Sequence, residues 1–193
     1  NQNLAAEVVG LKLIAPDGEL VTLSRENDAE LFNGAVVSLG ALGVVVEVTL
    51  DLLPAFEMSQ HVYLNLPLAS LEAHFDEMMS SAYSVSFFTD WKRDVVNQVW
   101  LKHRMGDSDN VSKRPEFFGA LPAVRQMHPI AELSGESCTQ QLGVPGPWHE
   151  RLPHFRIDAT PSAGNELQSE YFVPRQYAVD AIRAVGRLRH EIA

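Results

Sequence analysis

Hydrophobic positions alternate in strand fashion in several separate runs, most of them closed by turn chemistry. VVGLKLIAPDGELVTLS, residues 8–24, has two apolar runs flanking Pro16-Asp17-Gly18. Proline presets the turn and glycine supplies the positive φ, so a β-hairpin is predicted. RENDAELFNGAVVSLGALG follows, where Asn27 or Asp28 can cap a short helix that contains Leu31. VVVEVTLDLLP, residues 44–54, is β-branched, apolar and stopped by proline, which predicts a buried strand.

Beyond Pro54 the pattern restarts. FEMSQHVYLNL, residues 56–66, alternates as a strand. Ser70 is placed to cap a helix in which Leu71, Phe75, Met78 and Met79 share a face. YSVSFFTDW and NQVWLKHRM read as two strands with a polar turn at Arg93-Asp94, and Asp90-Trp91 and Trp100 read as core anchors. From Gly106 to Ser137 the chain is irregular and proline-bearing, as surface wraps and functional loops are. ELQSEYFVP, residues 166–174, reads as a last strand. RQYAVDAIRAVGRLRHEI reads as a last helix with Ala178, Ile182, Val185 and Leu188 on one face and Arg183, Arg187 and Arg189 solvated. Strands joined by short turns imply antiparallel pairing, so the expected class is α+β, with a boundary at residues 54–56.

Composition narrows the partners. The 193 residues carry 25 acids against 15 bases, a net charge of −10. Such a chain repels a phosphate backbone, so nucleic acid is not an expected partner. No apolar run approaches the roughly 20 residues a membrane-spanning helix needs, so no membrane is expected. The single Cys138 leaves no internal disulfide, which fits a reducing, cytoplasmic setting.

Two stretches invite chemistry. WHERLPHF, residues 148–155, is close to the H-E-x-x-H zinc signature. Its second histidine stands at i+5, about 100° further round an ideal helix than the motif needs, with Pro153 directly before it. His149 and His154 are therefore expected on a shaped loop leading to a strand near Phe155, and no metal is expected. SLGALGV, residues 38–44, holds Gly40 and Gly43 before a strand. Glycines so placed can expose backbone N–H groups to an anion or admit a cofactor edge. A tight packing turn is the alternative, and the order is not that of the dinucleotide fingerprint.

Residues and spacing alone do not yield a reaction. The segments GAVVSLGALGVVVEVTLDLLPAFEMSQHV, AYSVSFFTDW, QVWLKHR, MHP, GVPGPWHERLPHFR and ELQSEYFVPR, taken in order, resemble the bacterial alditol (xylitol) oxidases. These are FAD-dependent enzymes of the vanillyl-alcohol-oxidase type, related to the aldonolactone oxidases. GVPGPWHERLPHF and ELQSEY resemble that branch in particular; SLGALGVV resembles many flavin oxidases of this fold. The resemblance implies an internal segment of a chain about twice as long, a two-domain size. Residues 1–54 would close the FAD-binding domain and residues 55–193 would begin the substrate, or cap, domain. Ser38, Gly40, Gly43 and Val44 would lie against the adenosine-diphosphate half of FAD through backbone groups. The strand at 167–173 would join the cap sheet. The flavin-linking histidine and the substrate-binding side chains would lie outside this sequence, so no catalytic residue is assigned within it.

The implied partners are a small polyol and O2, and the isolated chain is expected to be inactive. A sugar-1,4-lactone oxidase or dehydrogenase of the same fold is the nearest alternative. A non-catalytic α+β binding module is the alternative from another class.

Overall fold

The computed structural model describes residues 4–106, 115–159 and 168–192. They fall into two compact units, Asn1–Pro54 and Ala55–Ala193, both of mixed α+β type with antiparallel sheets.

In the first unit, β1 (Val8–Ile14) and β2 (Leu20–Ser24) form the expected hairpin, in register from Gly10 opposite Ser24 to Ile14 opposite Leu20. Asp17 accepts from the Glu19 amide at 3.1 Å inside the turn. The helix α1 (Ala29–Val36) is capped by Asp28, whose carboxylate accepts from the Leu31 amide at 3.1 Å. Its buried Phe32 and Ala35 pack on Val8 and Leu11. The strand β3 (Val44–Leu50) pairs antiparallel with β1, giving the order β2-β1-β3. The expectation of a buried strand is corrected here, because every residue of β3 is exposed. Its valines make it a strand, but it is an edge strand, and none of the three elements above packs over it closely enough to bury it.

The second unit is built on the five-stranded sheet. Its long strands are β4 (Glu57–Pro67), β5 (Ser84–Phe88) and β6 (Val95–Arg104), and β7 (Leu121–Pro122) and β8 (Gly146–Pro147) add short pairings to β4. The order is β5-β6-β4-β7. The helix α2 (Leu68–Met79) follows β4 directly. Ser70 does not cap it: Pro67 occupies the cap position without a side-chain bond, and the Leu68 amide donates instead to the Asp94 carbonyl at 3.0 Å. An orphan helix donor needs one acceptor, and the β5–β6 turn supplies it. Leu71 and Met78 are buried, with Phe75 packed beside them.

Alternation along β6 divides two cores. Val99 and Leu101 join Leu71, Met78, Tyr63 and Phe117 in the helix-side core. Trp100 joins Val62 and Cys138, with Phe88, Met127 and Phe155 packed alongside. Full burial of each such side chain contributes about 1.5–3 kcal/mol.

Three further expectations change. The predicted helix at 175–192 breaks at Leu188 into α3 (Ala178–Arg187) and α4 (Arg189–Ile192). Ile182 packs on the core, whereas Val185 and Leu188 are exposed. Two of the three exposed arginines are tied down: Arg183 pairs with Glu72 and Arg189 with Asp94. Of the predicted strand at 166–174, residues 166 and 167 lie outside the described residues. Gln168–Pro174 forms no ladder, and Tyr171 and Phe172 are exposed. A strand is made by a pairing partner, and none of the described strands offers it one. No strand begins at Phe155 either; it forms a single bridge with Cys138. No helix among the described residues is long and apolar enough to cross a membrane.

Candidate functional site

The turn Ser38–Gly43 joins α1 to β3 in the first unit. Leu39, Gly40 and Gly43 all have positive φ, at 52°, 81° and 143°. The amides of Ser38, Ala41 and Gly43 are used inside the turn, donating to Ala35, Ser38 and Gly40 carbonyls at 3.2, 3.0 and 3.3 Å. The two glycines then differ. A Cβ on Gly43 would stand 2.2 Å from the Ile14 carbonyl oxygen, so this glycine exists to let the turn press against the end of β1. A Cβ on Gly40 would meet open space. Leu39 beside it is fully exposed, and Val44 is 68% exposed. An open groove of about 630 Å³ runs along α1 and the turn, lined by Gly34, Ala35, Ser38 and Ala41 among others. Small side chains there allow a flat ligand edge to come close. The acids Asp28 and Glu30 also line the groove and disfavour a phosphate beside them.

In the second unit, the side of β6 that carries Trp100 meets the irregular segments around 120–158. They are held by buried polar groups. Gln98 donates to the His128 carbonyl at 2.7 Å and accepts from the Trp100 indole at 2.8 Å. Gln141 donates to the Met127 carbonyl and accepts from its amide, at 2.7 and 2.8 Å. Lys102, wholly buried, donates to the carbonyls of Leu152 and of Pro153, the latter at 2.9 Å. The Thr139 hydroxyl donates to the same Pro153 carbonyl at 2.7 Å. Burial pushes the Lys102 amine down from its usual 10.5 to about 7, with the neighbouring Cys138 acting in the opposite sense. The Cys138 thiol is itself pushed up by burial.

The WHERLPHF stretch takes its shape from this anchoring. Trp148–Glu150 is a single 3-10 turn. Arg151 is nearly buried and donates to the carbonyls of Val144, Glu150 and Pro145 at 3.0, 3.1 and 3.1 Å. A Cβ on Gly146 would stand 2.3 Å from its guanidinium, so a larger residue there would have to push the arginine off its carbonyls.

The two histidines part company. His149 is exposed, edge-on to Trp148 at 5.7 Å. His154 is packed by Phe88 at 5.5 Å and Trp100 at 5.3 Å, and its Nε2 lies 3.1 Å from the Ser86 hydroxyl. Burial, then the charge of Lys102, pushes its pKa down to about 4. The described residues contain no group of three or more side chains able to hold a metal ion.

Reading the sequence alone misses Lys102 as a notable group. Lys102 was findable: Gln98, Trp100 and Lys102 stand at i, i+2 and i+4 on one strand, so a lysine shares a face with a buried tryptophan.

No protein-family profile matches the chain. It is 50% identical over 193 residues to an alditol oxidase of Streptomyces, covering 100% of this chain and 44% of that protein. Along its whole length the chain is similar to a part of an alditol oxidase. Shorter similarities run to a D-arabinono-1,4-lactone oxidase of Eremothecium gossypii, 40% identical over 110 residues, 57% of this chain and 20% of that protein. A mitochondrial L-galactono-1,4-lactone dehydrogenase of Brassica oleracea is 36% identical over 81 residues, 42% of this chain and 13% of that protein. The chain thus spans less than half the length of the curated relatives it matches.

Proposed function

We propose that this chain is part of an FAD-dependent oxidase that converts the primary alcohol of an alditol, such as xylitol or sorbitol, to the aldehyde while O2 becomes H2O2. The observation that carries the reading is the 50% identity to an alditol oxidase along the entire chain. The lactone oxidase and lactone dehydrogenase similarities are shorter and lower, so a lactone substrate is the second reading.

In this account residues 1–54 are the C-terminal part of the FAD-binding domain and residues 55–193 the first part of the substrate domain. Ser38, Gly40 and Val44 lie against FAD, with Leu39 beside them. Gly43 shapes the turn from below, since its amide and its Cβ space are already used. The open flank of Gly40 and the small residues of the adjoining groove fit the edge of a cofactor. The acids in that groove favour hydroxyl or amine groups there over phosphate oxygens. A bound flavin would supply the two-electron redox chemistry by which an alcohol and O2 become an aldehyde and H2O2. This chain's own contribution is to seat the cofactor edge and to hold the loops of the second unit in a fixed shape.

The test uses the full-length protein that carries this sequence. Xylitol or sorbitol should yield peroxide at least tenfold faster than an aldono-1,4-lactone, a margin of about 1.4 kcal/mol. The reverse order favours the lactone reading. Gly40→Val should weaken FAD retention on gel filtration.

A further inference from the structure

Where α3 and α4 meet the β5–β6 turn, the second unit carries a groove of about 500 Å³, a volume that suits a small molecule. Four guanidiniums line it, from Arg93, Arg183, Arg187 and Arg189, against two carboxylates, Glu72 and Asp94. Both carboxylates are matched: Arg183 pairs with Glu72 at 3.0 Å, and Arg189 with Asp94. Arg183 also lies 3.8 Å from Asp180, and His190, another lining residue, lies 3.5 Å from Glu191. Two cations are left over. Among the described residues Arg187 has no ion-pair partner. Arg93 bonds a neutral acceptor, the Asn65 side-chain oxygen, at 3.3 Å.

The same lining holds the Trp91 indole and the aliphatic Leu68 and Ile182. Trp91 is half-buried and sits in the left-handed region at a φ of 59°. A bulky residue is strained there, and such strain persists only where the surroundings fix it. Here the turn does so: the Trp91 amide donates to Thr89 Oγ1 at 3.1 Å, and the Lys92 amide to Asp90 Oδ1 at 3.0 Å. A Cβ on Gly186 would stand 3.4 Å from Trp91 Cζ3, so α3 supports the ring at a position without a side chain. The indole is thus a fixed part of the wall, preorganised to meet an organic group at little entropic cost.

Two unmatched guanidiniums in one small groove select a group that brings two negative charges. A phosphate monoester carries about −1.5 to −2 at pH 7, and its acceptor oxygens take the parallel donors of an arginine fork. A monocarboxylate brings about half that charge. The net charge of −10 opposes an anion at a distance. Screening over about 8 Å at physiological salt leaves the groove's own charges in control of what binds there. We propose that this groove binds the phosphate monoester of a small organic molecule. Arg93 and Arg187 hold the phosphate, and Trp91, Leu68 and Ile182 meet the organic part. The site takes nothing from the oxidase reading, since it uses no residue placed against the cofactor.

The experiment is a calorimetric titration of the purified full-length protein with phenyl phosphate, inorganic phosphate, benzoate and hexaglutamate. Phenyl phosphate should bind saturably, and about tenfold more tightly than benzoate. Arg93→Gln and Arg187→Gln should each weaken it about tenfold, as loss of a charge-assisted hydrogen bond implies. Both side chains are exposed, so these variants test the site without threatening the fold. Trp91→Leu should weaken phenyl phosphate severalfold and leave inorganic phosphate unchanged, which separates the indole's contact from any effect on the arginines. Arg156→Gln, outside the groove, should leave every affinity as in the parent. Phenyl phosphate affinity within twofold of the parent in the Arg93→Gln, Arg187→Gln double variant overturns the proposal. Tighter binding of benzoate than of phenyl phosphate overturns it too. So does tighter binding of hexaglutamate, which would mark an acidic protein segment as the occupant. Peroxide plays no part in the readout, so failure of the oxidase reading leaves this test unchanged.

Discussion

At Gly43 the turn and the end of β1 approach so closely that a single methyl group decides the outcome. Gly43→Ala places a Cβ 2.2 Å from the Ile14 carbonyl at a φ of 143°. It should cost more than about 3 kcal/mol, read as a lowered urea midpoint of the first unit. Gly40→Ala, at a φ of 81° with open space around it, should cost only about 1–2 kcal/mol of backbone strain. Equal losses from the two would contradict the division between a packing glycine and an open one. His154 supplies a pH test. Its folded pKa of about 4 lies below its ordinary 6.5, so between those values the unfolded chain binds more protons. Stability should therefore fall as pH drops from 6.5 toward 4, by on the order of 2 kcal/mol, and level off below. His154→Gln, which can still bond Ser86, should flatten that slope. Lys102 works the same way at higher pH. With a folded pKa of about 7 against 10.5, its burial cost is fully present below pH 7 and fades toward pH 10.5. The protein should gain stability across that window, and Lys102→Met should remove the gain. A Lys102→Met profile that still rises from pH 7 to 10 would show that the slope has another source.

Elements were legible where pattern and local chemistry agree. The hairpin at Pro16-Asp17-Gly18, the Asp28-capped helix and the strands at 57–67, 84–88 and 95–104 each carry their own signal in sequence. Asp28→Ala should cost about 1 kcal/mol through loss of the cap, measurable as a lower thermal midpoint. What failed depended on distant partners. The valines of β3 mark a strand, but burial needs a covering layer, and that layer is no property of the run itself. The start of α2 depends on an Asp94 carbonyl brought in by the β5–β6 turn, so a capping serine two residues further along was a false cue. ELQSEYFVP has strand composition without a pairing strand among those described. The candidate site followed the same rule. Ser38–Val44 stood out by its glycines, but which glycine is open depended on where Ile14 lies.

For the molecule as a whole, the similarity of the entire chain to a part of an alditol oxidase and the two α+β units support the account proposed above. In the proposed account the first unit would seat a cofactor edge and the second holds its loops in place through buried polar groups such as Gln98, Gln141 and Lys102. The net charge of −10 is compatible with a neutral substrate and gives no electrostatic steering toward an anionic one. The 193-residue chain taken alone should produce no peroxide from an alditol, since in this account it holds only part of each domain. The most direct test of the central claim is stoichiometry in the full-length protein. Xylitol or sorbitol should be consumed with one O2 taken up and one H2O2 and one aldose formed per alditol, and the purified protein should show flavin absorbance. Absence of flavin from the purified protein, or aldonolactone turnover with no peroxide from any alditol, would contradict it.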